Sequence, residues 1–195
     1  MIICIGDSNT YGYDPRDFAG RPFPHPWPEL LAAELGEVVL NLGANGETVP
    51  ADPYGYALWT DRIRAHQTAS GPDPVTYMIL LGTNDILNRF HPRIERIVGR
   101  MEAFLLYLKA YDPQARIRLL APPPLTGPER ERMPYRTELA EAFRLLAGRC
   151  GCAFADTADA SPGMSFDGIH LSEEGHVALG HFLADLLRDA DGSDF

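Results

Sequence analysis

The stretch Met1-Ile2-Ile3-Cys4-Ile5-Gly6-Asp7-Ser8-Asn9-Thr10 decides the fold. Five apolar residues in a row, three of them isoleucine, read as a strand buried on both faces, the kind that builds a parallel sheet. Gly6 permits a tight backbone turn at the carboxyl end of that strand. Open parallel sheets bind ligands along this edge, so Ser8 would stand where a nucleophilic hydroxyl can meet a substrate. A Gly-Asp-Ser tripeptide is also an ordinary polar turn, and the functional reading therefore depends on partners elsewhere in the chain.

Working outward, residues 38–42, 75–81, 117–121 and 152–155 read as four further short buried strands. Segments of helical period lie between them. Ile94, Ile97, Val98, Met101, Leu105 and Leu108 form one apolar stripe, Leu139, Phe143 and Leu146 a second, and Leu179, Phe182, Leu183 and Leu186 a third behind a Ser172 N-cap. Alternation of strand and helix predicts an α/β fold with a parallel sheet covered on both faces by about five helices. The 195 residues fit a single domain spanning residues 1–195. Two proline-rich stretches, residues 13–28 and 121–134, interrupt the rhythm and fall on the carboxyl edge of the sheet, where they could wall a pocket or pack a neighbouring chain over it as a homo-oligomer.

Charge and composition narrow the class. A net charge of −10, with no evident Lys/Arg cluster, argues against a nucleic-acid partner. No apolar run approaches the roughly 20 residues needed to cross a bilayer, and the chain begins on a strand-like segment rather than a signal peptide. Cys4, Cys150 and Cys152 are odd in number and make a poor disulfide framework. A cytoplasmic protein with reduced thiols is the expectation.

A serine hydroxyl needs a base, and a base needs an orienting carboxylate. Asp167-Gly168-Ile169-His170, just ahead of the last helix, offers both three residues apart, although a single Asp-x-x-His is also a common surface turn. Donors for a developing oxyanion could come from Gly82-Thr83-Asn84-Asp85 after the third strand and from Asn41-Leu42-Gly43-Ala44-Asn45-Gly46-Glu47-Thr48 after the second. His176 is a rival base but sits inside a helix, and Asp7 is expected to make local hydrogen bonds within its turn. His25, His66, His91, His176 and His181 show no metal-ligand spacing, so no metal is expected. Tyr54, Tyr56 and Trp59, at near-helical spacing, read as core or pocket wall.

The blocks Gly6-Asp7-Ser8, Asn45-Gly46-Glu47-Thr48, Gly82-Thr83-Asn84-Asp85 and Asp167-Gly168-Ile169-His170 resemble, in order and spacing, the four blocks of the SGNH hydrolases, or GDSL-type esterases and lipases. The resemblance spans residues 3 to about 176. It implies a flavodoxin-like three-layer α/β/α sandwich with strand order 2-1-3-4-5 and a Ser8-His170-Asp167 triad. It further implies an oxyanion hole from the N–H groups of Ser8 and Gly46 and the Asn84 side chain, with Gly43 competing for the glycine role. Asn9 stands where the family name expects Leu, and Asn9, Tyr11 and Tyr13 are the candidates for substrate contact. The expected activity is hydrolysis of a small-molecule carboxylic ester through an acyl-serine, with no cofactor. Acyl transfer or carbohydrate deacetylation would use the same groups. A non-catalytic flavodoxin-like binding module is the alternative from another class, but the first loop lacks a Gly-x-Gly-x-x-Gly phosphate cradle.

Overall fold

Successive side chains of a strand point to opposite faces, and in this chain the two faces feed two separate cores. A computed structural model describes residues 1–66 and 74–192. From β1 (Ile2–Gly6), Ile3 and Ile5 enter one core with Tyr77 and Ile79 of β3 (Thr76–Leu80) and with Ile117 and Leu119 of β4 (Arg116–Ala121). Their alternates, Ile2, Cys4, Met78, Leu80 and Leu120, enter the other. Helices α3 (Pro53–His66), α5 (Ile94–Tyr111) and α6 (Met133–Cys150) close the first face with Trp59, Ile63, Phe104, Leu139 and Phe143. Helices α2 (Trp27–Leu35) and α7 (Glu173–Gly192) close the second with Trp27, Leu31, Leu179 and Leu183.

All strand pairs are parallel, in the order β2-β1-β3-β4-β5, with β2 at Val39–Asn41 and β5 at Ala153–Asp156. The chain leaves β1 for β2 on one side and returns to β3 on the other. The carboxyl ends of β1 and β3 therefore form the switch point where an open α/β sheet has its crevice. The short helices α1 (Ser8–Tyr11) and α4 (Thr83–Leu87) start there, directly after their strands.

The expected strands lie within a residue or so of their predicted places. Edge strand β2 is shorter than residues 38–42, because Val38 is exposed and the chain turns at Asn41. There the Asn41 amide accepts from Gly43 N at 2.9 Å and donates to the Thr10 carbonyl at 2.9 Å. Strand β5 runs one residue further than expected, and Asp156 at its end is ion-paired with the buried Arg136. Ser172 caps α7 as the sequence predicts, its hydroxyl accepting from Gly175 N at 3.1 Å. Of the aromatic triplet in α3, Trp59 is buried and Tyr56 packs on Phe104, whereas Tyr54 faces solvent. Among the described residues no helix is long and apolar enough to cross a membrane.

Candidate active site

Gly6 has no room for a side chain: a Cβ there would fall 2.6 Å from Thr10 Cβ and 2.8 Å from the Leu80 carbonyl oxygen. That close approach lets β1 break straight into α1. Asp7 caps the new helix, its Oδ1 accepting from Asn9 N at 2.9 Å, the local role the sequence assigns it. Ser8 is thereby fixed at the first helical position, 7% exposed. Its own N–H faces away from the helix ladder, as first-turn N–H groups do.

The turn 165–171 comes to Ser8 from the far end of the chain. Asp167 holds that turn with one oxygen, Oδ1 accepting from the N–H groups of Ile169 (3.0 Å) and His170 (3.1 Å). Its other oxygen, Oδ2, lies 2.6 Å from His170 Nδ1, and His170 Nε2 lies 3.0 Å from Ser8 Oγ. Burial pushes the Asp167 carboxyl up, but its hydrogen bonds from His170 and from the two backbone N–H groups outweigh this and hold its pKa below the usual carboxylate value. An ionised carboxylate only accepts, so in the neutral ring Nδ1 carries the proton and Nε2 is free to accept from the serine hydroxyl. Gly168, at φ +72°, is required by the neighbouring loop, since a Cβ would run into the Thr126 backbone, whose N–H donates to the Gly168 carbonyl at 2.9 Å.

The donor residues gather on the same edge. Asn84 Nδ2 donates to the Glu47 carbonyl at 2.8 Å, which joins the third block to the second and leaves the other amide hydrogen. Gly46 has φ +77° and open space where a side chain would be. Gly43 differs in both respects, with no positive φ and no room for a Cβ, which would overlap the backbone of Thr10 and Tyr11; its N–H is moreover donated to Asn41 Oδ1.

The expected substrate contacts sort differently. Asn9 is 1% exposed, and its amide is turned to the His170 turn rather than to solvent. Nδ2 donates to the Ile169 carbonyl at 3.2 Å and Oδ1 accepts from Leu171 N at 2.9 Å, so the two bonds bracket His170. Both ends of the Asn9 side chain are thus engaged inside the protein. The Tyr13 ring lies 4.7 Å from the His170 ring, tilted by 52°, and Tyr11 is half-buried beside Gly43. His176, the rival base, is 1% exposed, with Nδ1 accepting from Trp27 N at 3.3 Å, and it makes no bond to Ser8. Among the described residues no group of His, Cys, Asp and Glu could hold a metal ion. The sequence reading overlooked a basic cluster: Arg89, Arg93, Arg96 and Arg100 are spread over twelve residues in sequence, and the turn into α5 gathers them at one cavity.

A parallel sheet of order 2-1-3-4-5 with a hydroxyl, an imidazole and a carboxylate assembled at its switch point is a flavodoxin-like α/β protein bearing a serine-centred site. The chain belongs to the GDSL-like Lipase/Acylhydrolase family, whose model matches residues 4–178. Comparison with curated proteins gives no match. Among solved structures it is similar to Est24, a carbohydrate acetylesterase from Sinorhizobium meliloti, with 27% identity, a TM-score of 0.80 and coverage of 96% of this chain and 98% of that one. A carbohydrate acetylesterase family member from the same organism matches at 26% identity and a TM-score of 0.80, covering 98% and 99%. The aryl esterase of M. smegmatis matches at 26% identity and a TM-score of 0.76, covering 96% and 98%.

Proposed function

We propose that the protein is a serine esterase that hydrolyses carboxylic esters through an acyl-Ser8 intermediate. The observation that carries this reading is the unbroken relay from Asp167 Oδ2 to His170 Nδ1 (2.6 Å) and from His170 Nε2 to Ser8 Oγ (3.0 Å). His170 takes the Ser8 proton as Oγ attacks the ester carbonyl, and Asp167 holds the ring and stabilises the imidazolium that forms. The Ser8 and Gly46 N–H groups and the free Asn84 amide hydrogen receive the oxyanion. On collapse His170 returns the proton to the departing alcohol, and it then activates a water that releases the acid from Ser8.

The similar structures described as carbohydrate acetylesterases favour short acyl groups, with deacetylation of a sugar as the second reading. Transfer of the acyl group to an alcohol shares the same intermediate and differs only in what attacks it. The test is Ser8→Ala assayed on 4-nitrophenyl acetate, with turnover expected to fall on the order of a thousandfold or more. Near-native turnover in the folded variant would remove Ser8 as nucleophile. The ratio of acid to new ester in water and alcohol mixtures separates hydrolysis from transfer, and release of acetate from acetylated sugars tests the second reading.

A further inference from the structure

Where α4 runs into α5 lies a cavity of about 490 Å³ whose lining sets Arg89, Arg93, Arg96 and Arg100 against a single carboxylate, Asp85. The chain as a whole carries a net charge of −10, so this concentration of positive charge runs against the composition. Asp85 does not offset it: the carboxylate is ion-paired with Arg100 and its Oδ2 accepts from Val49 N at 2.9 Å. Arg93 bonds Glu95 at 3.0 Å on the exposed face. Arg89 and Arg96 have no carboxylate within ion-pair distance among the described residues. His91 adds a further polar group.

The wall is braced. Arg132 donates to the carbonyl oxygens of Ile86 (3.0 Å) and Arg89 (2.8 Å), which fixes the turn that carries Arg89, and Tyr135 hydroxyl meets His91 Nδ1 at 3.3 Å. Two of the segments that line the cavity also carry the proposed oxyanion donors. Its lining residues Thr48 and Asp85 directly follow Glu47 and Asn84, which are joined by the 2.8 Å bond. Guanidinium groups hold planar or tetrahedral oxyanions through paired, charge-assisted hydrogen bonds, and the exposed Arg89, Arg93 and Arg96 present theirs at an open mouth that solvent ions can reach.

We propose that this cavity is a binding site for an anionic group, a carboxylate, phosphate or sulfate. Its volume exceeds what one such ion fills and matches a small-molecule pocket, which favours an anion carried on the substrate of Ser8 over a free ion. That assignment of source rests on the esterase reading; the anion site itself does not.

Binding is measured without catalysis by titrating inorganic phosphate or sulfate into Ser8→Ala protein, followed by calorimetry. Saturable binding is expected, weakened about tenfold or more when Arg89→Gln and Arg96→Gln are added. Absence of saturable binding, or equal binding in the arginine variant, overturns the site. The source is read from kcat/KM for 4-nitrophenyl hydrogen adipate relative to its methyl-capped counterpart in otherwise native protein. A fall of about tenfold in this ratio for the double arginine variant, but not for Arg144→Gln at an exposed position on the separate helix α6, identifies a substrate-borne anion. An unchanged ratio with phosphate binding intact identifies a free anion. An equal fall in Arg144→Gln attributes the preference to net charge and overturns the substrate-borne source. If Ser8→Ala keeps its esterase activity, the esterase reading fails while the phosphate titration still decides the site.

Discussion

Asn9 is the residue at which one side chain ties the two ends of the chain together. Its amide meets a backbone acceptor at Ile169 and a backbone donor at Leu171, on either side of His170, while the main-chain carbonyl of Asn9 accepts from Trp27 Nε1 at 3.1 Å. Leucine has a similar volume but would leave both partners without a bond in a buried place, at a cost of roughly 2 to 3 kcal/mol. We therefore expect Asn9→Leu to fold with reduced stability and to lower kcat on the order of tenfold or more, with KM nearly unchanged, since a small displacement of a base is enough to do so. Asn9→Asp separates positioning from general destabilisation. Ionised, it repels the Ile169 carbonyl; protonated, it can again donate to Ile169 and accept from Leu171. Its activity relative to native protein at the same pH should rise as pH falls, because burial raises the pKa of the introduced acid. A ratio that stays level with pH would show that Asn9 does not act through the His170 turn.

At the scale of elements, β1 and β3 were legible because both faces are buried and the sequence is almost wholly apolar, β4 because Ile117, Leu119, Leu120 and Ala121 keep an apolar run around the buried Arg118, and α5, α6 and α7 because their apolar stripes match the helical period. The short α1 and α4 carry no stripe, and only their starting Gly-Asp-Ser and Gly-Thr-Asn betray them. Ser8 was legible as a type at a strand end, and Asp167 and His170 as an Asp-x-x-His ahead of the last helix, but the bracketing by Asn9 was not, since it joins residues 160 positions apart. Nor could the sequence decide between the two glycines after β2, because a packed glycine and an open one look alike until the neighbouring α1 is in place. That difference gives a test. Gly43→Ala forces Cβ into the Thr10 and Tyr11 backbone, which cannot yield as a flexible side chain would, and should unfold the protein or lower its melting temperature by many degrees. Gly46→Ala meets open space and only a strained positive φ, costing about 1 to 2 kcal/mol. It should remain folded and lose kcat as its N–H is displaced. Thermal melts paired with steady-state kinetics distinguish the two, and a folded Gly46→Ala with native kcat would count against Gly46 as a donor.

For the whole molecule, two buried groups make stability respond to pH in opposite directions. Burial raises the Asp7 carboxyl from an ordinary 3.8 to about 6, against the lowering effect of the Asn9 N–H and of the Thr83 side chain. Burial, with a smaller contribution from His170, lowers His176 from 6.5 to about 4. Between these values the folded protein keeps a proton on Asp7 that the unfolded chain has released, so this group makes stability fall as pH rises from 3.8 through 6. His176 does the reverse, because the unfolded chain binds a proton that the folded protein excludes, and its contribution grows as pH rises from 4 through 6.5. Each effect is on the order of 3 kcal/mol at most, and over the shared window they largely cancel. Asp7→Asn retains an Oδ1 to cap α1 and presents Thr83 with a donor, while removing the falling component. The variant should therefore gain stability over native protein as pH rises, with a difference at pH 7.5 about 2 kcal/mol larger than at pH 4.5. Urea unfolding of both proteins at the two pH values measures this directly, since the remaining carboxylates are common to both and drop out of the comparison. An equal difference at both values would mean that Asp7 is ionised in the folded protein at no cost, and that the buried turn beneath Ser8 carries a full negative charge.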